Sequence, residues 1–152
     1  MSHLDTHFDT RLVTPELRLA IQALTSEHAW RLDHGSANTL HELYAEDGAL
    51  LGLPPEDLIG REAIRAWGAA RVKLPRVSRH VETNHRLEWR DGMLHGTLYA
   101  SVYRDEQPDA AHGLGAHTAP LMVGDYLDTY VLQGGRWLIA RREICRAFRA
   151  AR

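Results

Sequence analysis

A single cysteine, Cys145, rules out a disulfide within the chain and any multi-cysteine zinc or iron–sulfur site. An excess of positive charge is also missing. Lys and Arg number 18 against 20 Asp and Glu, a formal net charge of −2, so no net field gathers phosphates and nucleic acid is not an expected partner. No stretch approaches the ~18 apolar residues that would cross a bilayer. The opening MSHLDTHFDTRL has charges and histidines where a secretory leader has its apolar core. The expectation is a cytoplasmic protein with no membrane partner. Metal and nucleotide signatures are absent too: there is no His-Glu-x-x-His, no His-x-His, and no Lys-Ser/Thr after the glycines at 113 and 115. No cofactor and no metal is expected.

What the chain does have is an ordinary globular composition, 44% hydrophobic and 25% charged, over 152 residues, enough for one domain to build a core without staples. The first residues, 1–13, read as a flexible arm and 14–152 as a single domain. Histidine is over-represented, with ten residues. His3, His7, His112 and His117 fall in the arm or in a glycine-rich stretch, where solvent explains them.

The apolar spacing sets the element order. Thr14-Pro15 reads as a helix cap followed by proline at the first position. Leu17, Ala20, Ile21, Leu24, His28 and Leu32 then recur at helical spacing up to a stop at Gly35. Ser36 can cap a second helix ending before Asp47-Gly48, which would form a tight hairpin with the first. A short strand over 49–53 and a third helix over 60–74, ended by Pro75, follow. Beyond Pro75 the period falls to two. Strands are expected over 77–90, 93–104, 121–133 and 136–148, with hairpin turns at Asp91-Gly92 and Gly134-Gly135. Residues 105–118 have no period and read as a mobile loop that can serve as a lid. Helices first and antiparallel strands after them predict an α+β fold, the helices packed in a curved, mostly antiparallel sheet.

Several polar residues can bear chemistry. Asp33 ends the first helix, either as a solvated terminus or as an acid turned inward. Period two puts His80 on one strand face with Ser78, Glu82 and Asn84, either in solvent or lining a cavity. In a cavity, His80 would be the general base of that face, because imidazole is the side chain that titrates near neutrality. A regular strand sends His85 to the opposite face. Tyr99 shares a face with Ser101 and Tyr103, and Tyr126 with Asp128 and Tyr130. Such tyrosines can donate to a developing oxyanion or serve as sheet and interface residues. Arg142 and Arg146 fall on one side of the last strand.

These residues carry a resemblance. Leu32-Asp33 at the end of the first helix, the run Leu43 to Gly48, Gly60-Arg61-Glu62-Ala63-Ile64, Arg79-His80 with Thr83-Asn84, and Gly134-Gly135-Arg136-Trp137-Leu138 occur in the order found in the SnoaL-like family of the nuclear-transport-factor-2-like superfamily. The chain resembles that family over residues 14 to 148, which implies a cone-shaped α+β fold. In members such as scytalone dehydratase, hexachlorocyclohexane dehydrochlorinase and bile-acid dehydratase, an aspartate after the long helix pairs with a histidine at the start of a strand. The matching positions here are Asp33 and His80, the implied catalytic pair. Arg146 matches a pocket arginine, whereas His28 stands where bile-acid dehydratase has a tyrosine, and Tyr126 is the nearest match to a substrate-binding asparagine.

The resemblance implies a cofactor-independent, dehydratase-like lyase or isomerase acting on a small, largely apolar, ring-containing molecule. His80 removes a proton, Asp33 orients the ring, and Tyr99 or Tyr130 donates to the oxyanion. His28 assists the departing group, and Trp67, Tyr126 and Arg146 complete the substrate site. The alternatives are a polyketide cyclase-like enzyme or a non-catalytic binding or structural subunit, like the small subunit of ring-hydroxylating dioxygenases. Trp89, Trp137 and the sheet tyrosines also lead to the expectation of a homodimer or homotrimer formed through the sheet.

Overall fold

The computed structural model describes residues 13–149 apart from 54, 117 and 118. The expected arm at 1–12, with His3 and His7, lies outside the described residues, as does His117. Val13, expected in the arm, is packed into the core instead.

Helix α1 (Pro15–Asp33) starts where the sequence places its cap, with the Leu17 N–H donating to Thr14 Oγ1 at 3.2 Å. It closes at Gly35, whose φ of +78° lets the Ser36 N–H return to the Arg31 carbonyl at 3.1 Å. Its inner face buries two polar side chains, Thr25 and His28, among Ile21, Leu24 and Ala29.

The expected second α-helix is a correction. Residues Ala37–Leu43 form a 3₁₀ helix, and Ser36 makes no side-chain cap. The buried positions Ala37, Leu40 and Leu43 recur every three residues, which is the 3₁₀ period. The chain then extends five residues earlier than expected, as strand β1 (Tyr44–Leu51). A two-residue strand, β2 (Leu58–Ile59), pairs antiparallel with β1 and is too short for any period to reveal. Helix α2 (Arg61–Arg71) is shorter at its C-terminal end than the expected 60–74, because residues 72–74 turn toward Pro75.

The four long strands follow the expected bounds closely: β3 (Val77–Arg90), β4 (Met93–Asp105), β5 (Met122–Gln133) and β6 (Arg136–Arg149). They form an antiparallel meander. β1 adds to β6 in parallel, giving one six-stranded mixed sheet in the order β2-β1-β6-β5-β4-β3. Both two-residue hairpins have positive φ at each central position, 52° and 74° at Asp91-Gly92 and 56° and 74° at Gly134-Gly135, which matches the twist of the flanking strands.

One break in register changes the reading of faces. Between Thr83 and Arg86, β3 carries one residue more than β4, and Asn84 has φ +56°. This bulge inverts the alternation. Ser78, His80 and Glu82 face inward before it, and Leu87, with His85 two residues earlier, faces inward after it. His85 therefore shares the inner side with His80, contrary to the regular-strand expectation.

Helix α1 packs on β3 and β6, and α2 on the 3₁₀ helix and β1. The core joins Ile21, Leu40, Ile64, Leu87, Leu94 and Ile139. Each is essentially unexposed, and burial of such a side chain is worth about 1.5–3 kcal/mol. A second cluster, built around Leu98, Ala100 and Tyr126, lies farther along the sheet. The loop after β4 is organised by two aspartates. Asp105 accepts from the Gln107 and Ala116 N–H groups, and Asp109 accepts from the Ala111 N–H.

Candidate active site

The end of α1 and the start of β3 meet at Asp33 and His80. Because α1 stops at Gly35, its last residue, Asp33, points across to the strand rather than into a further turn. Asp33 Oδ1 lies 2.6 Å from His80 Nδ1, and Oδ2 accepts the His80 backbone N–H at 2.7 Å. Ser78 Oγ donates to Oδ1 at 2.8 Å, and Arg71 Nη2 donates to Ser78 Oγ at 3.2 Å. Burial works to raise the Asp33 pKa. The His80 side chain, its charge and its backbone N–H, together with Ser78, overcome that and hold it below the usual carboxylate range. An ionised Asp33 can only accept, so the neutral His80 ring donates its Nδ1–H to Oδ1 and keeps its lone pair on Nε2. His80 lines a cavity and Asp33 sits behind it.

A second polar network lies deeper. Arg142 is unexposed, and its Nε and Nη2 donate to both oxygens of Asp128 at 2.8 and 2.7 Å. Its Nη1 donates to His28 Nδ1 at 3.0 Å. His28 must therefore carry its proton on Nε2, which donates to Tyr44 Oη at 2.9 Å. Burial first, then the charges of Arg142, His80, Arg71 and Arg31, push the His28 pKa well down, so the ring is neutral. Tyr130 Oη donates to Asp128 Oδ2 at 2.6 Å. Burial disfavours the Arg142 charge, but the Asp128 carboxylate more than offsets this and holds the guanidinium well above its ordinary pKa. Glu82 Oε1 stands 3.5 Å from Arg142 Nη1 and accepts no hydrogen bond. Burial, only partly countered by Arg142, raises its pKa to about 7.

The cavity has a volume of about 680 Å³, within the range of small-molecule sites. Its walls include Leu50, Leu53, Trp67, Leu74, Val102 and Ile144. Tyr126 forms part of the wall beneath Arg142, whose guanidinium lies 4.7 Å from the tyrosine ring centre. Among the described residues, no group of three or more His, Cys, Asp and Glu is placed to hold a metal ion. No described helix is long and apolar enough to cross a membrane.

The structure brings together most of the residues singled out from the sequence. His80, His28, Trp67, Tyr126 and Arg146 line the cavity, and Asp33 touches His80 from behind. Two expected residues do not reach it. Tyr99 sits on the outer face of β4, 53% exposed, because β4 turns Leu98 and Ala100 inward. Tyr130 is on the inner side but its hydroxyl is committed to Asp128. His28 lines the cavity with both ring nitrogens already engaged, so it braces Arg142 and is not free to assist a departing group. Sequence reasoning missed Arg71, Ser78 and Glu82. Ser78 and Glu82 share the strand face of His80 by period two, and Arg71 follows Trp67 by one helical turn, so the signal was there for all three.

The comparisons agree with this architecture. A scytalone dehydratase candidate from Novosphingobium aromaticivorans is 23% identical, covering 92% of this chain and 88% of its own, with a TM-score of 0.66. LinA is 19% identical over 86% of each chain, with a TM-score of 0.67. A Nostoc punctiforme protein of unknown function with a cystatin-like fold is 22% identical, over 88% of this chain and 92% of its own, with a TM-score of 0.69. No curated protein sequence matches. The model of the SnoaL-like domain matches residues 14–143, and the chain belongs to that family.

Proposed function

We propose that the protein is a cofactor-independent lyase or isomerase, dehydratase-like, acting on a small ring-containing molecule. The observation that carries this reading is the 2.6 Å contact between Asp33 Oδ1 and His80 Nδ1 at the wall of a largely apolar cavity. In a dehydration, His80 Nε2 takes a proton from the carbon next to a carbonyl. The C–H electron pair becomes the new C=C bond as hydroxide leaves from the neighbouring carbon. The imidazolium returns its proton to that hydroxide, so water is the only by-product. Asp33 fixes the tautomer before the step and stabilises the imidazolium during it. A positioned base of this kind contributes about 10²–10⁴-fold. Tyr126, the tyrosine in the cavity wall, replaces Tyr99 and Tyr130 as the donor to the developing enolate oxygen. Membership of the SnoaL-like family and the fold shared with a scytalone dehydratase candidate support the dehydratase or cyclase class.

The test is a panel of β-hydroxy ring ketones, neutral and carboxylate-bearing, followed by the absorbance of the conjugated product. Wild-type protein should accelerate water loss from at least one, and His80→Ala should lose that acceleration. A His80→Ala variant as fast as wild type overturns the reading.

A further inference from the structure

The cavity lining carries a charge imbalance that the Asp33–His80 pair does not use. Among the described residues that line it, five are arginines, Arg71, Arg76, Arg104, Arg142 and Arg146, and none is a carboxylate. Arg142 is matched by Asp128 at 2.7 Å. Arg76 and Arg104 share the single carboxylate of Glu106, at 2.9 and 2.8 Å. Two guanidiniums on one carboxylate leave the rim positive.

Arg71 is the most exacting of the set. It is 8% exposed, and Nη2 rests on two neutral oxygens, Ser78 Oγ and the Leu32 carbonyl. Its buried Nε has no hydrogen-bond partner. Burial, and then the neighbouring charges of Arg76 and Arg104, lower its pKa to about 10, against partial relief from Asp33 and Glu106. Burial also leads the causes that lower Arg104, where Glu106 is opposed by Arg76 and Arg146. The four arginines other than Arg142 thus act on one another as a single positive group around the cavity. A buried guanidinium whose nearest charges are mostly like its own is destabilised unless a further anion meets it. The chain as a whole is slightly negative, so this positive field belongs to the cavity and not to the protein at large.

We propose that the cavity accepts an anion, a ring-containing carboxylate whose apolar body lies against Trp67, Leu74 and Ile144 and whose charge meets Arg71 and Arg146. This names the substrate class of the lyase or isomerase reading and rests on that reading for the chemistry performed. The ring fills the apolar wall, and charge-assisted hydrogen bonds to guanidinium hold the carboxylate and fix the end of the molecule that His80 sees.

The test is a calorimetric titration with 2-naphthoate and with 2-naphthamide, its neutral counterpart of similar shape. Naphthoate should bind at least about tenfold more tightly, the gain of a charge-assisted hydrogen bond, and added salt should narrow the gap. Arg71→Gln and Arg146→Gln should each weaken naphthoate about tenfold and leave naphthamide within about twofold. Arg146 is exposed, so Arg146→Gln carries the test if Arg71→Gln does not fold. Equal affinity for the two compounds, no binding of naphthoate, or naphthoate affinity unchanged in both variants overturns the proposal. Because the titration needs no turnover, its result is independent of the His80→Ala rate. A dead His80→Ala variant with no anion preference defeats this inference alone, and an active one with the preference intact defeats the catalytic reading alone.

Discussion

Asp33 holds His80 at two points, its ring through Oδ1 to Nδ1 at 2.6 Å and its backbone through Oδ2 to N at 2.7 Å. One carboxylate thereby fixes both where the strand begins and which way the imidazole turns. Asp33→Asn should cost about 1–3 kcal/mol of stability, the penalty for an ill-matched buried hydrogen bond. It should also slow turnover while leaving ligand affinity near wild type. Urea melts, rates and titrations on the same variant check this, and wild-type rates with Asn at 33 contradict it.

Acid stability should report the same contact. The folded-state pKa of Asp33 is depressed. Its contribution is therefore complete above the unfolded carboxylate value of about 4 and is lost as pH falls through the depressed value. Asp33→Asn should flatten the acid side of the stability curve, measured by urea melts from neutral pH downward.

Glu82 should behave in the opposite sense. Its folded pKa is raised from 4.5 to about 7, so the fold favours the protonated form and loses stability as pH rises across that window. Glu82→Gln should therefore gain on the order of 1–3 kcal/mol relative to wild type above pH 7 and little at pH 4. Equal effects at both pH values contradict the assignment.

The Arg142–Asp128 pair is unexposed on both sides, with Nη2 and Oδ2 at 2.7 Å. Arg142→Met leaves a buried carboxylate without its cation and should cost about 3–5 kcal/mol. Adding Asp128→Leu should recover part of that loss, giving a large coupling in a double-mutant cycle. Additive losses contradict a direct pair.

The outer face of the sheet exposes Val81, Tyr99 and Leu127 at 49%, 53% and 40%, and a second or third copy of the chain is the expected cover. Sedimentation of the wild type should show a species larger than the 17.2 kDa chain, and Tyr99→Glu with Leu127→Lys should reduce it to the monomer. A monomeric wild type contradicts the expectation.

The long periodic segments were legible in the sequence because one face of each is apolar over many residues. The four long strands and α1 fall nearly where their periods place them. The 3₁₀ helix was misread because Leu40 and Leu43 fit both a 3.6 and a 3.0 period, and only Ala37 breaks the tie. The Asn84 bulge was invisible, since one extra residue leaves composition unchanged while inverting every face after it. His85 and Tyr99 show the two kinds of facing error: a bulge moved one inward, and an unassigned face left the other outside. Asp33 and His80 came from resemblance and spacing together. Of the arginine rim only Arg146 came from the resemblance; Arg71, Arg76 and Arg104 did not, because they lie on separate segments that only the folded chain brings together.

The Asp33–His80 contact keeps the proton of the neutral imidazole on Nδ1 and leaves Nε2 free to accept. Long-range proton–nitrogen correlation spectra of the ¹⁵N-labelled imidazoles, recorded above neutral pH on wild type and Asp33→Asn, read the tautomer without any substrate. Wild-type His80 should show a protonated Nδ1 and a bare Nε2, with that preference lost in Asp33→Asn. A wild-type His80 carrying its proton on Nε2 would contradict it.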